Sequence, residues 1–200
     1  MQTTTHTNHT GSQKSSRSMS LADLAELSSS DLDHMYRRGK CPASIDDVAG
    51  LPRGRMLAVR GLGRGTASRL IRRFAGSAGF PWGGKTFMSH GKNGEGVNRI
   101  HLGGRHTLFP FKLAIGPSVV DGSDAVILDY DLPDNPWVIR QIHDEVREVA
   151  PGLLMGPAMW KTKGKPSLVL WFALDLADPA APIGETIAER RTRNRNGALA

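Results

Sequence analysis

The sequence predicts an α+β protein built mainly on an antiparallel sheet of about seven strands. Two observations indicate this fold class. About seven segments show strand-like alternation or a short apolar run, and most are joined by short turns, which favour antiparallel pairing because parallel strands need long crossovers. So many strands in 200 residues would leave exposed edges. We therefore expect the sheet to curl into a small barrel that is flanked or plugged by helices, with a flat sheet covered on one face as the alternative.

Each element has a local signal in the sequence. Strands are predicted at residues 54–61, 85–90, 97–102, 107–115, 125–130, 153–160 and 168–174. Helices are predicted as a short pair over residues 21–39, ended by Gly39, and as two longer ones over residues 66–74 and 136–149. The glycine-rich turn at 61–65 resembles a dinucleotide-binding turn, but Thr66 stands where that motif ends in Gly or Ala, so we interpret it as structural.

Composition and charge divide the chain into one domain and two tails. We predict a globular domain at residues 21–178, a disordered tail at 1–20 and a disordered basic tail at 179–200, because neither tail could bury enough apolar surface to order itself. The net charge is +7, of which residues 1–20 carry +2 and residues 180–200 another +2, leaving +3 for the domain. We interpret the basic tail as solubilising, with loose binding of nucleic acid as the alternative.

Cys41 is the single cysteine, which excludes an intrachain disulfide and a cysteine-based zinc site. Neither a secretory signal nor an apolar run long enough to span a membrane is evident. We therefore expect a soluble cytoplasmic protein without a metal or a cofactor.

The predicted helix over residues 136–149 carries the densest charged cluster. Helical spacing would place Ile139, Ile142 and Val146 in one buried stripe and would put Arg140, Asp144 and Arg147 together on another face. One interpretation is a solvated, salt-bridged surface. The other is that this face lines the mouth of a pocket, where an arginine holds a carboxylate or other anion, with His143 beside it.

Several large aromatic residues fall on predicted strands or at their ends. They pack a core, line an apolar cavity inside a barrel, or do both. The residues that we place at such a cavity are Trp82, Phe109, Phe111 and Trp160.

Three segments together resemble a known group of proteins. They are DYDLPDN at residues 129–135, DEVREVAPGLLMG at 144–156 and WGGKTF at 82–87. The pattern is similar to that of uncharacterised bacterial proteins of lipocalin-like, calycin-type character, over roughly residues 45–175. The resemblance implies a small β-barrel that holds an apolar ligand, and it assigns no catalytic residue.

Three functions are compatible with the sequence. The first is non-enzymatic binding, inside the barrel, of a small, mostly apolar ligand with an anionic or polar head that Arg140 or Arg147 meets. The second is an enzyme that uses an acid–base pair in the same pocket, formed by His143 or His101 with Asp129 or Asp144. The third is weak nucleic-acid binding through the arginine-rich residues 37–73, which we rank last because no recognised nucleic-acid-binding motif accompanies the charge. The predicted ligand-binding residues are Arg140, His143, Asp144, Arg147, Trp82, Phe109, Phe111 and Trp160.

Overall fold

The protein is a closed antiparallel β-barrel in the computed structural model, which describes residues 18–59, 82–101 and 104–179. Each strand pairs with the next along the chain, and the last pairs with the first to close the barrel. The predicted antiparallel sheet is confirmed, with eight strands rather than about seven. They are β1 (Pro52–Val59), β2 (Trp82–His90), β3 (Asn93–His101), β4 (Arg105–Pro117), β5 (Asp124–Asp129), β6 (Ile142–Ala150), β7 (Leu153–Trp160) and β8 (Ser167–Pro179).

Some sequence predictions lie outside the described residues. These are the helix at 66–74, the glycine-rich turn at 61–65 and nearly all of the two predicted tails. Within the described ranges, no helix is both long enough and apolar enough to cross a membrane.

The predicted helix over residues 136–149 is wrong. A single helical turn, α3 (Trp137–Arg140), precedes β6, which pairs with β5 on one side and β7 on the other. The side chains of β6 alternate between the two faces of the sheet, so Asp144 and Val146 face the barrel interior while their neighbours face outward. In a strand with one buried face, the inward positions are usually apolar. Asp144 takes one of these positions in β6, so the remaining apolar residues fitted a helical period instead.

Two helices flank the outside of the barrel. They are α1 (Leu21–Ala25) and α2 (Ser29–Arg38), and they contact β1, β6 and β8. Leu24, Leu32 and Tyr36 pack against Met155 and Trp171, which are outward-facing residues of β7 and β8. Burying this apolar face gives the two short helices the tertiary support that helices of their length lack in isolation.

One end of the barrel is packed with side chains. Phe87, Phe111 and Leu154 belong to this interior cluster, which Ile45 and Val48 join from outside the sheet. Ile45 precedes and Val48 ends a 3-10 turn (Asp46–Val48) that contacts β2 at this end. The cavity described below is therefore confined to the opposite end.

The seam between β1 and β2 has the fewest paired residues in the barrel, although a bridge between Gly50 and Phe87 lies beyond the end of β1. Its register contains one pair, Arg53 with Gly84, whereas the other seams contain at least four. The buried Arg99 guanidinium reinforces it by donating hydrogen bonds to backbone carbonyls of Leu51, Pro52 and Gly83. Gly84 has a φ of 117°, and a Cβ there would meet the Pro52 carbonyl and the Arg99 side chain.

We expect Gly84→Ala to open this seam. The left-handed backbone and the absence of space act together, so we predict that the free energy of unfolding falls by about 3 kcal/mol or more. Urea unfolding followed by circular dichroism measures this change. Gly164→Ala is the matched control, because a Cβ at Gly164 would meet nothing within 4 Å, and we expect a change within about 0.5 kcal/mol. Equal effects of the two substitutions would contradict this description of the seam.

Candidate functional site

A cavity of about 120 Å³ lies inside the barrel at the end that carries α3. Its wall is mostly aliphatic and aromatic, and Trp82, Ile139 and Phe172 are among its residues. It is half enclosed and somewhat smaller than an engineered cavity of about 150 Å³ that takes up benzene, so it encloses at most about one ring. Four polar side chains interrupt the apolar wall: Lys85, Asn98, Tyr130 and Asp144.

The barrel brings these four residues together from separate strands. Lys85 lies on β2, Asn98 on β3 and Asp144 on β6, and Tyr130 directly follows β5. Each is two residues from an interior residue of its own segment, namely Phe87, Ile100, Val146 and Leu128 in that order. Because side chains alternate along a strand, a spacing of two points them all into the barrel.

Lys85 is the centre of the cluster. Its ammonium donates hydrogen bonds to Tyr130 Oη at 2.5 Å, to Asp144 Oδ2 at 2.9 Å and to Asn98 Oδ1 at 3.0 Å. These three acceptors use all three of its protons. The Lys85–Asp144 ion pair is almost completely shielded from solvent, since the two side chains are 3% and 5% exposed.

A second set of hydrogen bonds holds the acceptors in place. Tyr130 Oη donates to Asp144 Oδ2 at 2.9 Å, and Trp82 Nε1 donates to Asn98 Oδ1 at 3.1 Å. Asn98 Nδ2 donates to the Phe109 carbonyl and to Tyr130 Oη, both at 3.2 Å. Phe109 has a φ of 57°, a backbone conformation that is uncommon for a residue with a side chain. Strain of this kind persists where surrounding contacts hold it in place, and it concentrates at functional sites.

One atom of this network has no partner. Asp144 Oδ1 is buried and accepts no hydrogen bond from any protein group. A buried carboxylate oxygen without a donor is costly, and it is satisfied when a ligand or a water molecule supplies one. Asp144, which lines the cavity, thus carries one unpartnered acceptor oxygen in mostly apolar surroundings.

The buried cluster shifts the ionisation of its members. Burial lowers the pKa of Lys85, and the charge and hydrogen bond of Asp144 oppose that shift. Burial and then the Asp144 charge raise the pKa of Tyr130 well above its usual range, so this phenol stays protonated. The Lys85 ammonium also lies 5.0 to 5.5 Å from the ring centroids of Trp82, Phe111, Tyr130 and Phe172, and contacts of this kind stabilise a cation.

The structure places the eight predicted ligand-binding residues in different parts of the barrel, and three of them line the cavity. Asp144, Trp82 and Phe109 line the cavity. Phe111 lies in the packed interior beneath it, with its ring centroid 5.1 Å from that of Tyr130. Trp160 makes an edge-on contact with Trp137, with ring centroids 6.2 Å apart, and does not belong to the described cavity wall.

The prediction that Arg140, Asp144 and Arg147 share a face is wrong. Asp144 and Arg147 lie three residues apart on β6, so their side chains point to opposite faces of the sheet, and Arg140 lies in α3, before the strand. Arg147 projects outward from β6, beneath α2, where it forms two hydrogen bonds of 2.7 and 2.8 Å to the Asp121 carboxylate. Arg140 forms an exposed ion pair with Asp131. Neither guanidinium belongs to the described cavity wall, so the predicted arginine contact with an anionic head has no geometric support there.

His143 also projects outward and forms part of a different buried network. Its Nε2 lies 3.3 Å from Glu145 Oε2, and Glu145 accepts hydrogen bonds from Ser118 at 2.5 Å and Tyr36 at 2.9 Å. Burial alone would raise the pKa of Glu145, but the hydrogen bonds from these three side chains outweigh it and lower that pKa. This network attaches α2 to the barrel wall.

The predicted acid–base pairs do not meet in the cavity. His143 and Asp144 are consecutive residues of β6 and point to opposite faces, while Asp129 bonds to Lys161 at the surface. His101 is exposed. No histidine of the described ranges lines the cavity.

Sequence reasoning missed Lys85, Asn98 and Tyr130. A usable signal was present, since each is separated by one residue from a buried apolar residue on the same strand or its extension. In an antiparallel sheet such polar residues are usually taken as strand ends or solvent-facing positions, and only closure of the barrel places three of them around one point.

Comparison with known proteins assigns no family. No family model matches the chain, and no curated protein matches it. A crystal structure of a protein from Thermomonospora curvata is similar, with 19% sequence identity, a TM-score of 0.46 and coverage of 78% of this chain and 93% of that one. Similarity at this level carries no functional argument, and the lipocalin-like resemblance stays a prediction.

The buried ion pair should behave as one unit when it is mutated. Asp144→Leu leaves the Lys85 ammonium buried without its anion, so we expect the free energy of unfolding to fall by about 3–5 kcal/mol. The double variant Lys85→Met/Asp144→Leu should recover most of that loss, because apolar residues of similar size replace both charges. Urea unfolding of wild type, single and double variants measures the coupling.

The exposed Arg140–Asp131 pair is the matched control for this cycle. We expect Asp131→Ala to cost no more than about 1 kcal/mol, since exposed pairs contribute little. A double variant as unstable as the sum of its single variants would show that Lys85 and Asp144 do not depend on each other.

The Asp121–Arg147 ion pair on the outside of the barrel should make the free energy of unfolding depend on pH in the acid range. The hydrogen bond from Arg147 lowers the pKa of Asp121 from 3.8 to about 2. A lowered pKa in the folded state adds stability above pH 3.8, and this stability is lost as the pH falls toward 2. Because solvent screens this partly exposed carboxylate, Asp121→Asn should cost about 1 kcal/mol at pH 7 and almost nothing near pH 2.

Urea unfolding of this variant and of wild type at several pH values between 2 and 7 measures that difference. Asp134→Asn, at an exposed carboxylate near α3, is the control. A deficit that does not change with pH would contradict the assigned ion pair.

Proposed function

We propose that the barrel binds a small, mostly apolar molecule that carries a hydrogen-bond donor, with the donor placed on Asp144 Oδ1. The observation that carries this proposal is the buried, unpartnered carboxylate oxygen of Asp144, a residue that lines an apolar cavity. Native buried polar atoms are nearly always satisfied, so an unpartnered acceptor on a cavity-lining residue favours an occupant that supplies the proton. The lipocalin-like character expected from the sequence belongs with this proposal.

The charges at the site favour a neutral donor over an anionic head. Lys85 already balances Asp144, and all three of its protons are in use. An anionic head would add a second negative charge within the same low-dielectric space, where like charges repel strongly. A hydroxyl, a phenol or an amide N–H satisfies Asp144 Oδ1 without adding charge.

Size restricts the ligand further. A cavity of about 120 Å³ is smaller than the usual range of about 300–1,000 Å³ for drug-sized ligands. It suits a molecule with one ring or a short branched chain, and a long acyl chain would have to extend beyond the described wall. The mostly apolar wall supplies affinity through burial, and the single acceptor orients the ligand.

Three probes of similar size test the proposal. Benzyl alcohol has a donor, toluene has none and benzoate is anionic. We expect benzyl alcohol to bind about tenfold more tightly than toluene, as one additional buried hydrogen bond allows, and benzoate to bind weakest. Isothermal titration calorimetry or ligand-detected NMR on the full chain measures the three affinities.

The double variant Lys85→Met/Asp144→Leu should abolish the preference for benzyl alcohol over toluene while the barrel stays folded. Asp131→Asn, which removes an exposed carboxylate at the same end of the barrel, should leave that preference unchanged. Tightest binding of benzoate, or equal binding of all three probes to wild type, would sink the proposal.

A further inference from the structure

We propose that Lys85 captures a small aldehyde or ketone in this cavity as an imine, with Asp144 as the group that accepts and returns the proton. This inference rests on the proposed function, because the carbonyl compound must occupy the same cavity. It goes beyond that function, since the bound molecule becomes covalently attached and its carbonyl carbon becomes activated toward reaction. The chemical class of the substrate is a neutral carbonyl compound with an apolar group of about one ring.

The geometry places an amine, a base and a phenol in the wall of one cavity. Lys85 Nζ lies 2.9 Å from Asp144 Oδ2 and 2.5 Å from Tyr130 Oη, and all three residues line the cavity. An amine acts as a nucleophile only after it loses the ammonium proton, so a carboxylate in direct contact provides the base that the step requires.

The first half of the reaction moves two protons and forms one C–N bond. The Lys85 ammonium transfers a proton to Asp144, which leaves a neutral amine and a neutral carboxylic acid. The nitrogen lone pair attacks the carbonyl carbon, and the C=O π electrons move onto oxygen. A proton then passes from the new N–H to that oxygen, for which Tyr130 Oη is placed as a relay, and a neutral carbinolamine results.

The second half expels water. Asp144 returns its proton to the carbinolamine hydroxyl, the C–O bond breaks, and the nitrogen lone pair forms the C=N bond. The products are one water molecule and a protonated imine beside the Asp144 carboxylate. The charges at the end equal those at the start, one cation and one anion, so the interior never holds an unpaired charge. No oxidant, reductant or further reactant is required.

The surroundings of Lys85 favour imine formation. Burial lowers the pKa of Lys85, so the neutral amine is reached at a lower pH than for a solvated lysine. The four aromatic rings that stabilise the ammonium would also stabilise the protonated imine, which is a cation at the same place. The apolar wall limits access of the water that would hydrolyse the product.

Reductive trapping tests the inference on the unmodified full chain. Benzaldehyde and sodium cyanoborohydride are added at pH 6, where exposed lysines are almost fully protonated. Peptide mapping by mass spectrometry then gives the extent of benzylation at each lysine. We expect Lys85 to be modified at least about tenfold more than the exposed Lys112, with protection by excess benzyl alcohol.

Two variants test the assigned roles. Lys112→Met should leave trapping at Lys85 unchanged. Asp144→Asn should slow it about tenfold and move its pH optimum downward, because the acid that expels water is lost while the amine stays neutral to lower pH. Circular dichroism verifies the fold of each variant. A D144N variant that traps at the wild-type rate with an unchanged pH optimum would contradict the role of Asp144.

Failure of the inference is distinguishable from failure of the proposed function. Benzylation confined to exposed lysines and the N-terminus, in a protein that still binds benzyl alcohol, overturns imine formation and leaves the binding proposal intact. Absence of both benzylation at Lys85 and benzyl alcohol binding overturns both.

Discussion

The Lys85–Asp144 ion pair is the interaction on which the polar end of the barrel depends. Two charges taken out of water are tolerated only when each neutralises the other and the remaining donors and acceptors are filled. β2 and β6, which are not neighbours in the sheet, supply the pair, so their relative position inside the barrel is constrained by it. Tyr130 and Asn98 fill hydrogen-bonding positions of the pair, and Trp82 holds Asn98 in place by donating to its Oδ1.

The two ends of the barrel differ in how their interior is filled. At one end the 3-10 turn and aromatic side chains fill the interior, which gives the domain a conventional apolar core. At the other end the core gives way to a cavity with charges in its wall. A buried ion pair contributes little stability compared with apolar residues of the same size. Stability alone therefore does not account for the pair.

The sequence predicted the strands well where one face is uniformly apolar. Phe109, Phe111 and Leu113 alternate with other residues and do lie on β4, with Phe111 and Leu113 in the core. Closure of the sheet followed from the number of strands and their short turns. These features depend on local periodicity and on the cost of exposed edges, and both can be assessed from a single chain.

The site was largely hidden because its residues violate the pattern that reveals a strand. Asp144 occupies an inward position on β6, so the remaining apolar residues there appeared to follow a helical period. One interpretation placed Arg147 on a solvated surface, yet α2 covers it and supplies a partner, as it does for the neighbouring Glu145. Lys85 is paired with Asp144 across 59 residues of sequence, a contact that only the closed barrel creates. Local rules fail at such positions because polar groups are placed there against the general preference of the interior.

A high-resolution crystal structure of the protein soaked with benzyl alcohol tests the central claim most directly. We expect the ring in the cavity beside Trp82 and Phe172, with the hydroxyl oxygen within hydrogen-bond distance of Asp144 Oδ1 and the Lys85–Asp144 contact preserved. Asp144 Oδ1 facing a protein donor, with side chains filling the cavity and no probe inside it, would contradict the account.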